Sequence, residues 1–159
     1  MNTIIFSGLF FATRNLIYKY GPILIKDWKS EKDKNMLANY SMSSIHTFFC
    51  LVLPLYNLYK NNNNFYDNYT YFDKLLYDIS TSYYLVDLGY ALLDNQPEFI
   101  IHHILTIGIE VYLLLNRMPF IFNTVMLVGE STNPLLITWT LSRYKKYELF
   151  NKINKLTTY

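Results

Sequence analysis

The chain has 159 residues, 52% hydrophobic, 18% aromatic and 16% charged, with a net charge of +2. Globular domains average about 25% charged residues, so this chain is short of the surface that keeps a domain in water. The weak charge sits in connections rather than along one stripe, which argues against a nucleic-acid partner, and the single Cys50 excludes an intrachain disulfide and a cysteine-built metal site.

Taken in order, the apolar runs predict an all-α bundle of about five membrane-spanning helices. The first span runs from Thr3 to Lys19 and is read as retained rather than cleaved, for it lacks a basic n-region and a small-residue cleavage site. Arg14 lies near its end and is expected to snorkel to the headgroups. Tyr20-Gly21-Pro22 is expected to break the helix, and Lys26 to Lys34 to form a charged loop or a short surface helix with Trp28 as an interfacial anchor. The second span runs from Tyr40 to Tyr59 and contains His46 and Pro54. The third is Ile79 to Leu93, the fourth Phe99 to Leu115 and the fifth Phe120 to about Leu141, with tight polar turns at Asp94-Asn95-Gln96-Pro97 and Asn116-Arg117-Met118-Pro119. Residues 1–39 then form a span with a basic cytosolic loop, 40–144 the main domain, and 145–159 a basic cytosolic tail.

Lys and Arg in the connections set the orientation. The first loop and the tail together hold ten, against Lys60, Lys74 and Arg117 on the other side. That asymmetry predicts a lumenal or external N-terminus and a cytosolic C-terminus, with the Asp94–Pro97 turn facing the cytosol.

The informative residues are ionisable groups inside apolar runs, where they are costly and usually face a bundle interior or cavity. At about 1.5 Å per residue, His102 and His103 lie roughly 6–8 Å inside the cytosolic end of the fourth span, and Asp87 roughly 10 Å inside the third. The short turn makes these two helices antiparallel neighbours, so the groups can meet. Neighbouring histidines diverge by about 100° on a helix; one reading makes them general base and orienter, the other a pair of hydrogen-bonded packing residues. Asp87 either polarises an imidazole or bonds a tyrosine such as Tyr83, four residues away on its face. Glu130-Ser131-Thr132-Asn133-Pro134 is a polar break or a structural kink, and His46 can be a helix-to-helix hydrogen bond.

In order, Ser43-Ser44-Ile45-His46, then Tyr83-Tyr84 with Asp87, then His102-His103 with Thr106, then Glu130 with Thr132 and Pro134 resemble the TLC domain. That multi-span domain is shared by translocation-associated membrane proteins, the longevity-assurance ceramide synthases and a neuronal ceroid lipofuscinosis protein. The resemblance covers roughly Tyr40 to Tyr144. It implies a membrane protein of the endoplasmic reticulum or a related endomembrane, with a role in lipid metabolism or lipid homeostasis. It implies membrane lipid as partner, with acyl-CoA as the donor if acyl transfer occurs. Val128-Gly129-Glu130-Ser131-Thr132 departs from the His-Asp-x-Ser-Asp motif of the ceramide synthases, so the likeness is to the smaller non-synthase branch. If the site is active, His102 or His103 takes a proton from an amine or hydroxyl with help from Asp87. Glu130, Thr106, Tyr83 and His46 are the expected substrate contacts, with no metal and no cofactor.

The alternative is a non-catalytic lipid sensor or trafficking adaptor using the same cavity. A proton path through Asp87, His103, Glu110 and Glu130 would need a pore that five helices do not outline. Family bundles carry one or two further spans, so a homo-oligomer or a partner subunit is expected to complete this one.

Overall fold

The computed structural model describes residues 2–24, 30–60, 69–118, 129–130, 132–135 and 137. The fold is all-α, and no strand occurs among the described residues. Four helices follow in order: α1 (Asn2–Leu24), α2 (Glu31–Lys60), α3 (Tyr71–Leu93) and α4 (Pro97–Leu115). Helical backbone recurs at 129–130, 133–135 and 137. The expected fifth span, Phe120 to Leu141, lies largely outside the described residues.

Three helices are longer than their apolar runs. The α2 helix starts nine residues before the expected Tyr40, where Ser30 Oγ accepts from the Asp33 N–H at 3.1 Å and the Asp33 carboxylate accepts from the Ser30 N–H at 3.2 Å. The same reciprocal box opens α3, with Thr70 and Asp73 bonded both ways. Such boxes satisfy backbone donors that a helix start leaves open. The α1 helix continues through Tyr20-Gly21-Pro22 to Leu24 instead of breaking there. Pro22 sits in the last turn, where one lost backbone bond is tolerable. Gly21 there allows close approach to α2, since a Cβ on it would lie 2.7 Å from Leu37 Cδ2. The α4 helix begins at Pro97, whose fixed φ suits a first helical position.

Both described turns close by the same device. Asn95 and Arg117 follow the ends of α3 and α4 at φ 52° and 48°. The Gln96 N–H returns to the Ala91 carbonyl and the Met118 N–H to the Leu113 carbonyl, each at 3.0 Å. These are left-handed caps of the Schellman type, built without glycine.

The α3 helix packs against each of the others and is buried all round from Asp78 to Tyr84. Cross-helix bonds fix the directions. Thr3 bonds Asp78 and Arg14 lies on Tyr90, so α1 and α3 run parallel. His46 meets Ser80 while Asn57 meets Asp73, so α2 is antiparallel to α3. Thr81 meets Glu110 while Asp87 meets His103, so α4 is antiparallel as well. The end of α1, the start of α2 and the Asp94–Gln96 turn therefore lie at one end of the bundle.

Among the described residues, apolar side chains are exposed on the outer helices, and polar ones are buried beside an apolar core. Ile4, Ile5, Leu9 and Leu16 on α1, and Ile101, Ile104, Leu105 and Leu115 on α4, are exposed, while His46, Thr47, Ser80, Ser82, His103 and Glu110 are buried. Such an exterior suits lipid, and polar side chains turned inward can bond across helices. The Glu31–Asn57 part of α2 and the whole of α4 are long and apolar enough to cross a bilayer. The apolar part of the core joins Phe10, Met42, Ile79, Tyr83 and Tyr84.

Candidate functional site

A cavity of ≈ 700 Å³ opens between α2, α3 and the start of α4. Lys32, Asn35, Asp94 and Gln96 line its mouth end, while Met36, Tyr40, Tyr83, Tyr90 and Phe99 give it an aromatic and apolar wall. Asn133 and Ile137 close it from the segment that follows Glu130. The size falls within the range of about 300–1,000 Å³ in which proteins hold small molecules.

Asp87 lies on that wall, with its side chain 25% exposed. Its Oδ2 is 2.8 Å from Nε2 of His103, which is buried. Both His103 ring nitrogens lack a well-aligned hydrogen bond. The Asp87 carboxylate therefore lies close to the ring but off the line of its N–H. The His103 ring lies among Tyr84, Phe99 and His102. His103 itself does not line the cavity and reaches it through Asp87. His102 is exposed, with its ring edge-on to Tyr84 and tilted against His103. The adjacent histidines thus diverge as helix geometry requires, and only one of them meets Asp87.

Behind this pair is a second polar group. His46 is fully buried and stacks on Tyr83, with centroids 4.1 Å apart. Its Nε2 lies 2.9 Å from Ser80 Oγ and 3.2 Å from Cys50 Sγ. Its Nδ1 stands 3.7 Å from Glu130 Oε2. The Glu130 carboxylate accepts from Thr47 at 3.1 Å, Tyr84 at 3.0 Å and Asn133 at 2.5 Å. Glu110, one percent exposed, accepts from Thr81 at 2.8 Å. Among the described residues neither glutamate has a Lys or Arg within ion-pair distance; hydroxyl and amide donors satisfy them instead. Thr106 donates back to the His102 carbonyl at 2.8 Å and does not line the cavity.

Of the expected residues, Asp87 and Tyr83 face the cavity, His103 stands behind Asp87, and His46 with Glu130 forms the deeper network. His102 and Thr106 stand apart. Arg14 differs from its sequence expectation. Instead of snorkelling outward it is buried, with its guanidinium 3.3 Å from the centre of the Tyr90 ring. Its Nε donates to Asn39 Oδ1 at 2.9 Å and its Nη2 to Asn35 Oδ1 at 3.1 Å. Asn35, Asn39, Thr47 and Ser80 went unrecognised as well. The signal for the two asparagines is a polar stripe at helical spacing, Asn35, Asn39, Ser43, His46 and Cys50 on α2.

A family model described as the TLC domain matches residues 36–158. No curated protein and no solved structure matches the chain. The α1 helix, with Arg14, lies outside the matched region.

Proposed function

The chain belongs to the TLC-domain family of membrane proteins, and from that premise we propose that it is a multi-pass protein of the endoplasmic reticulum or a related endomembrane that acts on lipid in the cavity beside Asp87. The observation that carries this reading is the 2.8 Å contact between Asp87, on the wall of a ligand-sized cavity, and the buried His103. The roles expected from sequence are then reversed. Asp87 is the group that meets a substrate, and His103 is the positioning residue behind it.

In the favoured chemistry the oxygen or nitrogen of a lipid hydroxyl or amine attacks the carbonyl of an acyl donor such as acyl-CoA, and its proton passes to the Asp87 carboxylate as that bond forms. The C–S bond then breaks, and the departing thiolate takes the proton back from Asp87. General-base help of this kind contributes about 10²–10⁴-fold. His102 has no part in that step, since it faces away from the cavity.

One observation favours the second reading, a lipid sensor or trafficking adaptor. Among the described residues Nδ1 of His103 is buried without a hydrogen-bond partner, so none of them fixes the tautomer as an orienting group would in a dedicated acid–base pair. Lipid profiles of cells expressing wild type, Asp87→Asn, His103→Ala and His102→Ala separate the two. The enzyme reading expects a new acylated species in wild type and in His102→Ala, reduced by about 10²-fold or more in the other two. Lipid that copurifies with wild type without any new acylated species supports the sensor. Equal product from wild type, Asp87→Asn and His103→Ala would sink the base assignment.

A further inference from the structure

Arg14 is a buried cation with no carboxylate within ion-pair distance among the described residues. Its three neighbours, Asn35, Asn39 and Tyr90, all line the cavity. The guanidinium therefore stands directly behind one wall. Guanidinium groups only donate hydrogen bonds, so both asparagines must turn their carbonyl oxygens to Arg14. That leaves the Nδ2 donors of both for whatever occupies the cavity. A cation polarising two fixed amide donors is a receptor for negative charge.

Of the charged residues that line the cavity, Lys32 and Asp94 are of opposite sign, and the Asp87 carboxylate lies 2.8 Å from His103 Nε2. The cavity of ≈ 700 Å³ is of the size in which proteins hold a small ligand or a headgroup.

We propose that Arg14, supplied by the helix that precedes the family-matched region, makes this cavity selective for an amphiphile with an anionic head, through the amides of Asn35 and Asn39. The inference rests on the reading of the cavity as a lipid site and adds the charge of its ligand.

Photoreactive probes of one chain length, bearing carboxylate, phosphate, hydroxyl or ammonium heads, test it on the full chain purified in nanodiscs. Wild type is expected to label with a carboxylate or phosphate probe on the order of tenfold more strongly than with the alcohol, the strength of a charge-assisted contact. The two anionic arms tell a fatty-acid-like from a phosphate-bearing ligand. Asn39→Asp gives Arg14 a carboxylate and should abolish the preference, while labelling by the alcohol persists and reports a folded cavity. Arg14→Met should do the same wherever it folds. Equal labelling of wild type by all four heads, or an anion preference that survives Asn39→Asp, would overturn the proposal while leaving the lipid site standing. Absence of labelling by every probe would overturn both.

Discussion

Glu130 shows how single residues hold the interior together. Three donors from α2, α3 and its own segment converge on one carboxylate. Removing it as Glu130→Ala orphans Thr47, Tyr84 and Asn133, and an unsatisfied buried group costs about 1–3 kcal/mol. A loss on the order of 3 kcal/mol or more is therefore expected, read by thermal unfolding in detergent. Glu130→Gln keeps one acceptor but sets a donor against donors, so its loss should be intermediate. An unchanged midpoint for the alanine form would show that the network carries no stability. The polar character of Glu130 and its neighbours was visible in the sequence, because a charge in an apolar run stands out. The burial of Arg14 was not. Snorkelling and inward packing differ only in which way a long side chain turns, and the direction here is set by Asn35, Asn39 and Tyr90, distant in sequence.

Helix ends separate what apolar patterning can reveal from what local chemistry adds. Patterning located the Asp94–Pro97 turn and placed α4 within two residues, for a polar turn bounded by Pro is a strong punctuation. The start of α2 escaped it because its first turn is polar, and that of α3 because Tyr71-Phe72-Asp73-Lys74 mixes aromatic and charged residues. Ser30-Glu31-Lys32-Asp33 and Thr70-Tyr71-Phe72-Asp73 are both boxes of the Ser/Thr-x-x-Asp kind. Loss of the α3 cap as Thr70→Ala should cost about 1 kcal/mol, and faster hydrogen exchange confined to the first turn of α3 is the expected sign. Arg117 holds a left-handed conformation that costs a residue with a side chain about 1–3 kcal/mol. Arg117→Gly relieves that at about 0.4–1 kcal/mol of added unfolded-state entropy. A small rise in thermal stability is expected, and a fall would show that the Arg117 side chain itself holds the turn.

At the scale of the whole molecule, the described helices carry exposed apolar side chains over buried polar groups, and the end of α1 and the start of α2 share one end with the Asp94–Gln96 turn. Cys50 is buried, so single added cysteines report sidedness cleanly. Asn95→Cys is expected to react with an impermeant reagent from the cytosolic face of sealed vesicles, and Arg117→Cys from the opposite face. Reaction of both from one side would break the antiparallel path of α4. The account stands or falls on the cavity as the place where lipid meets Asp87. Mass-spectrometric mapping of a photoreactive lipid bound to the purified protein tests that most directly. Adducts on Met36, Tyr40, Tyr83, Tyr90 or Phe99 are expected, competed away by the same lipid without its photoreactive group. Adducts confined to the outer faces of α1 and α4, at residues such as Leu9, Ile104 and Leu105, would contradict it.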